Sequence, residues 1–303
     1  VWDNFPPPKY NKNSYDSTDV IVTISKLTDA ITRAVTDQPD IIHHPHAVNT
    51  DVFMKLPEDT VREFRKGSFE KGEKNPKRMI FFWNNRNARR KQSGTLIYWF
   101  KEFLDKVGHD NACLIMHTDP KDKHGQDLEH IIRDLKLSDG QAMISRAKVP
   151  AEGLSMLYNM ADCTINISDA EGFGLSTLES LACETPIIVN MTGGLQEQVT
   201  DGEEWFGIGI EPCSKAVIGS QEIPYIYEDR LNKEQFLESL ENFYNMSKEE
   251  RAEMGSKGRN HVLKNYNFID YQEGWDKVIK DTHNKYGSWQ DRKGYETWRH
   301  EEL

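Results

Sequence analysis

Two carboxylates eight positions apart, Glu171 and Glu179, frame the stretch DAEGFGLSTLESLACETP (169–186), which carries most of the legible chemistry. Gly172 and Gly174 bracket Phe173 just ahead of a helical pattern, so the backbone can approach a ligand there without intervening Cβ atoms. The helix that follows points unpaired N–H groups at the same space, and such an end attracts phosphate. At about one hundred degrees per residue, Leu175, Leu178, Leu181, Ala182 and Cys183 share one apolar arc, with Ser176, Thr177, Ser180 and Glu184 opposite. Glu179 falls inside that apolar arc. A carboxylate facing a core needs hydrogen-bond donors, and sugar hydroxyls from outside the chain would supply them. A ligand spanning the helix N-terminus would touch one carboxylate at each end, with its phosphates over the amides between.

The second charged feature is NNRNARRKQ (84–92), in which Arg86, Arg89, Arg90 and Lys91 crowd together. It directly follows the apolar run MIFFW (79–83), which reads as a buried strand. Arg suits bidentate phosphate contact and Lys acts as a point charge. A third feature is the Gly193–Gly194 turn, where absent side chains would admit a sugar or simply satisfy the backbone shape of a helix start.

These features hang on an alternation of strands and helices. DVIVTIS (19–25) reads as a strand ending in a cap serine, followed by a helix with Leu27, Ala30, Ile31, Ala34 and Val35 at helical spacing. From Glu58 to Lys77 the chain is charged and without period, and reads as a surface excursion or linker. After MIFFW, the runs ACLIMH, QAMIS, CTINI and PIIVN alternate with helical patterns, which favours a parallel, doubly wound α/β sheet. Ligands gather at the carboxyl ends of such strands, the rim shared by residues 84–92 and the Glu171 loop. From Gly207 to Arg230 the period is lost again, and an inserted loop is expected. Two amphipathic helices follow, the second capped by Ser247 with Glu250 three residues on. The tail from Phe268 reads as a helix rich in Trp and Tyr.

EGFGLSTLE resembles the E-x7-E motif of retaining GT-B glycosyltransferases, the glycosyl transferases group 1 family. The longer run SDAEGFGLSTLESLACETPIIVNMTGGLQEQVTDG is similar to that family's succession of glycine loop, helix, buried strand, GG turn and DG turn. The resemblance implies that Glu171 approaches the donor sugar and Glu179 holds the ribose. It also implies that Arg86 and Lys91, at the family's R-x4-K spacing, grip the donor diphosphate. Gly172, Phe173, Gly174 and Leu175 would line the donor, with Gly193 and Gly194 beside the sugar. The family flanks its Arg and Lys with glycines, whereas Asn85 and Gln92 stand here, which leaves the turn geometry open.

The implied reaction is transfer of a hexose, with retention, from a nucleoside-diphosphate donor such as a UDP- or GDP-hexose to a carbohydrate, lipid or protein hydroxyl. It needs no cofactor and no metal, because D-x-D is absent and cations would neutralise the leaving group. A nucleotide-sugar-binding module without transfer activity and a GT-B epimerase are the alternatives. Residues 1–57 would end an acceptor-side Rossmann-like domain, 58–267 would form the nucleotide-sugar domain, and 268–303 would pack back toward the first, with Trp275, Trp289 and Trp298 suited to it. The Val1 start and the proline-rich opening suggest missing upstream sequence or a partner chain.

Composition limits the classes. A net charge of −11 with 29% charged residues describes a globular protein and argues against a general nucleic-acid binder. No run is long enough to cross a bilayer and no signal pattern opens the chain, so a cytoplasmic location is expected. The four cysteines, without any CxxC, read as reduced thiols. His43, His44 and His46 read as an ordinary strand end, since Pro45 and an extended backbone disperse them.

Overall fold

The computed structural model describes residues 4–69, 78–288 and 290–291. Near its amino end α1 (Lys12–Asp16) precedes β1 (Ile21–Thr23), α2 (Lys26–Val35) and β2 (Ile41–His43), and the two strands pair in parallel. Ser25 and Thr28 form a reciprocal capping box at the start of α2, each side chain accepting the other's backbone N–H. Residues 58–69, expected from composition to be a surface excursion or linker, lie at the surface but are helical. They form α3 (Glu58–Phe69), with acidic Glu58 and Asp59 in its first turn facing the helix dipole. A charged, mostly exposed helix leaves little apolar period, and its existence is decided by the neighbour it packs on. The remainder of that stretch, 70–77, lies outside the described residues.

The core follows. In β3 (Met79–Asn84) every residue from Met79 to Trp83 is buried, with Phe81 and Trp83 on one face and Ile80 and Phe82 on the other. Then come α4 (Ser93–Val107), β4 (Ala112–His117), α5 (Leu128–Asp134), β5 (Ala142–Ser145), α6 (Ala151–Met160), β6 (Cys163–Asn166), α7 (Leu175–Ala182), β7 (Ile187–Asn190) and α8 (Leu195–Val199). Helices cover both faces of the sheet, which is why the strands read as continuous apolar runs rather than alternating ones. One face carries Phe100, Phe103 and Leu96 of α4; the other carries Tyr158 of α6 and Leu178 and Leu181 of α7.

Residues 207–230 also depart from expectation. β8 (Gly207–Ile210) pairs in parallel with β7 and completes a six-stranded sheet of order β5-β4-β3-β6-β7-β8. β9 (Ser214–Ile218) and β10 (Ile226–Arg230) form an antiparallel hairpin outside it. The glycines of GIGI hide the strand from a periodicity reading, yet a Cβ on Gly207 would lie 2.0 Å from the Ile187 carbonyl oxygen. Close backbone approach, not side-chain pattern, selects that strand.

α9 (Lys233–Asn245) and α10 (Lys248–Asn265) pack on opposite faces, and α11 (Phe268–Tyr286) runs back to the amino-terminal strands. Tyr271 of α11 stacks on His44 at 5.1 Å, and Trp275 meets the same ring edge-on at 5.5 Å. Trp289 and Trp298 lie outside the described residues. Among the described residues no helix is long and apolar enough to cross a membrane. Among the described residues, Cys113, Cys163 and Cys183 are buried thiols outside any disulfide, and Cys213 is exposed.

Candidate functional site

The strand order places β3 beside β6, and the chain leaves these two strands toward opposite edges of the sheet. That divergence opens a crevice at their carboxyl ends, the usual ligand position in doubly wound folds. The two loops that border it are residues 85–92 and 167–174, so the cationic run and the glycine loop meet across the topological switch.

Their meeting point is an ion pair between Lys91 Nζ and Glu171 Oε2, with the two side chains 8% and 11% exposed. A main-chain bond from Asp169 N to Arg90 O (2.8 Å) ties the loops together. Arg90 donates to the Ala170 carbonyl at 2.5 Å and stands 3.7 Å from Glu171. Burial pulls the Lys91 ammonium below its ordinary pKa; Glu171 opposes that shift, and Arg90 adds to it.

Gln92 resolves the turn that its sequence left open. It adopts a left-handed backbone, φ 55°, at the start of α4, the conformation that a glycine would take without strain. Its side chain compensates by donating to Asp169 at 2.5 Å and accepting from the Thr95 hydroxyl at 2.6 Å.

The other two arginines are committed elsewhere. Arg86 is paired with Asp122 at 2.7 and 3.2 Å on an exposed side chain, and that pairing holds the Asp122 carboxyl down at about 2. Arg89 grips Glu228 of β10 through two bonds of 2.9 and 2.7 Å. Arg230 bridges Asp169 at 3.0 Å and Glu228 at 3.2 Å. Burial pushes the Asp169 carboxyl up to about 6, with Gln92 and Arg230 pulling against it. Burial acts the same way on Glu228, but Arg89 and Arg230 outweigh it and hold that carboxyl below its usual value. The structure therefore brings Lys91 to Glu171 and adds Arg90, while Arg86 is turned to Asp122.

Beyond Glu171 the loop is fixed from beneath. Phe173 is buried, edge-on to His46 at 5.3 Å and to Tyr266 at 5.8 Å, and its carbonyl accepts from Gln198 at 2.8 Å. Gly174 opens α7 at φ 95°, and Leu175 is exposed. Among the described residues, the amides of Gly172, Phe173 and Gly174 donate to no protein acceptor. The GG turn packs directly under this loop: Gly194 N donates to Glu171 O at 3.2 Å, and a Cβ on Gly193 would stand 1.5 Å from that oxygen. The space that these glycines leave is filled by backbone of the Glu171 loop.

Glu179 lies one turn into α7 and is partly buried. Its donor comes from within the chain, correcting the expectation that only an outside group could provide one: Tyr158 OH donates to Glu179 Oε2 at 2.7 Å. Asn84, the last residue of β3, donates to that hydroxyl at 2.8 Å, so a relay runs from the strand end through Tyr158 to Glu179. Burial pushes the Glu179 carboxyl up to about 7, and the Tyr158 bond moderates the rise. Tyr158, Asn84 and Arg90 were not singled out from sequence. Tyr158 sits at a core position of α6 where only the apolar ring is legible, and Asn84 and Arg90 are indistinguishable from their polar neighbours in the same run.

The fold and this rim define a class. The pattern of the glycosyl transferases group 1 family matches residues 64–261, and the chain belongs to that family. A stretch of 75 residues is 37% identical to the D-inositol 3-phosphate glycosyltransferase of Paenarthrobacter aurescens, 25% of this chain and 18% of that protein. The same-named protein of Corynebacterium jeikeium is 33% identical over 107 residues, 34% of this chain and 25% of that one. Sucrose-phosphate synthase from Thermosynechococcus elongatus superposes with a TM-score of 0.70 at 18% identity, over 90% of this chain and 61% of the other. HepE of Anabaena, solved in complex with UDP-glucose, gives 0.68 at 14% identity, over 87% and 64%. The architecture is that of GT-B glycosyltransferases, and the chain spans less than two thirds of either of these structures.

Two measurements check this geometry. The Glu179 proton is held more tightly in the folded chain than in the unfolded one, where the value is near 4.5. Its favourable contribution is therefore present below that value and lost as pH rises through about 7. Calorimetry of Glu179→Gln should show a larger gain in Tm over wild type at about pH 8 than at about pH 5, and an equal difference at both would contradict the buried carboxyl. At position 92, Gly relieves the left-handed strain that Ala retains. Urea denaturation should find Gln92→Gly more stable than Gln92→Ala by about 1 kcal/mol, the reverse of their order inside a helix.

Proposed function

We propose that this chain forms the donor-binding part of a retaining, metal-independent hexosyltransferase, which uses a nucleoside-diphosphate sugar and a hydroxyl acceptor. The observation that carries the reading is the convergence of Lys91, Glu171 and the free loop amides at the switch between β3 and β6, with Glu179 one helical turn away. A UDP-glucose complex of the similarly folded HepE, and the glycosyltransferase names of the sequence relatives, support it.

In this reading the diphosphate lies over the amides of Gly172 to Leu175, where the helix end and the cations Lys91 and Arg90 balance its charge. Arrival of the donor releases Glu171 from Lys91, freeing the carboxylate to orient the sugar hydroxyls and the ammonium to meet phosphate. Glu179 takes the ribose hydroxyls through the oxygen that Tyr158 leaves free. As the bond from the anomeric carbon to the diphosphate breaks, negative charge grows on the leaving group, and fixed cations and amides stabilise that state most. The acceptor hydroxyl attacks from the same face and passes its proton to the departing diphosphate oxygen, so configuration is retained. Arg86 joins this cradle only by leaving Asp122.

Thermal shift with a panel of nucleoside diphosphates tests the donor site. UDP or GDP at about one hundred times its Kd should stabilise the chain by about 2.7 kcal/mol, and Lys91→Ala or Glu179→Ala should remove most of the shift. A panel in which no nucleotide stabilises the protein would overturn the reading. The same shift should survive EDTA. A shift that disappears with the chelator and returns with manganese would replace the cationic cradle by a metal-bridged one.

A further inference from the structure

A cavity of about 550 Å³ lies at the opposite end of the sheet, against the residues that lead into β6 and β7. It is distinct from the switch-point crevice, because β6 alone separates the two ends by about 13 Å. Its wall carries Lys55, Arg62, Arg65, Lys248 and Arg251 against three carboxylates, Glu58, Asp162 and Glu184, in a chain whose net charge is −11. Two of those carboxylates are engaged: Glu58 with Lys248 at 2.8 Å, and Asp162 with the Ile80 amide at 2.8 Å and Arg65 at 3.6 Å. Arg62 is paired with Asp59 at 2.5 Å, and among the described residues Lys55 and Arg251 have no carboxylate within ion-pair distance, Arg251 donating instead to the Met246 carbonyl at 2.6 Å. Arg65 is already committed, to Asp162 and to the Arg78 carbonyl, and so frames the cavity rather than awaiting an occupant.

We propose that this cavity is a second anion site, taking a small soluble molecule that carries a phosphate group. Phosphate offers a compact double negative charge to Lys55 and Arg251, the two wall cations without a carboxylate partner among the described residues. The volume falls within the range of small-ligand pockets, and the concave shape fits a free phosphate compound better than a flat membrane surface. The wall joins α3, the end of α6, the segment between α7 and β7, and the start of α10, so an occupant would brace the side of the domain remote from the donor crevice.

Calorimetric titration with inorganic phosphate, then with a hexose phosphate and the matching neutral hexose, tests the site in the whole chain. Both phosphates should bind and the neutral sugar should not. Lys55→Gln, at an exposed side chain, should weaken phosphate binding about tenfold, and adding Arg251→Gln should weaken it further, while Lys91→Ala leaves it within about twofold. Binding lost in Lys91→Ala and kept in Lys55→Gln would move the anion to the switch-point rim. No heat at about 10 mM phosphate would remove the site altogether. Binding instead to vesicles carrying phosphatidic acid, with none to either soluble phosphate, would equally refute it. Because Lys91→Ala and Lys55→Gln separate the two ends of the sheet, failure here leaves the donor-site reading untouched, and the reverse.

Discussion

The ion pair between Lys91 and Glu171 is the constraint on which the rim depends. Two charges that are nearly excluded from water are costly unless each meets the other, so the pair fixes how closely the loops after β3 and β6 can approach. Every neighbouring feature serves that approach. The backbone bond from Asp169 to Arg90 registers the loops, Gln92 accepts a left-handed turn to aim Lys91 inward, and the GG turn fills the space beneath Glu171. A rim braced in this way is held in one geometry before any ligand meets it.

A second network keeps the cationic run from collapsing onto the crevice. Glu228 and Asp169, both deeply buried, draw Arg89 and Arg230 to one side, and the β9–β10 hairpin is thereby fastened to the loop that carries Glu171. The backbone bond from Asp229 to Asp169 adds to this at 2.8 Å. The hairpin is therefore part of the site's support, although it lies outside the six-stranded sheet. Asp122 plays a parallel part for Arg86. The four cations divide into one that faces Glu171 directly, one beside it and two held apart, a distribution their spacing alone does not contain.

Glu179 shows the same economy on the other side of the loop. An acidic residue on an apolar helical arc signals an unusual site, and the structure keeps that signal while changing its partner. Tyr158 shares the cost of burial by donating to one oxygen, and Asn84 orients Tyr158 from the strand end. Burial raises the carboxyl to about 7, and the Tyr158 bond limits that rise.

The sequence by itself determined the class of fold, because strands buried on both faces must be apolar throughout and helices between them must show one apolar stripe. It also determined that Glu171, Glu179 and Lys91 belong near one rim, since strand ends on one edge of a parallel sheet are neighbours whatever the loop details. It missed α3 and β8: a charged exposed helix has weak periodicity, and a glycine strand has no side-chain pattern to read. Only the tertiary structure decided which cation meets Glu171, that Arg86 turns to Asp122, and that Tyr158 satisfies Glu179. Each of these is a choice among chemically equivalent partners far apart in the chain, settled by distance and burial, and neither quantity exists until the sheet has closed and its helices have packed.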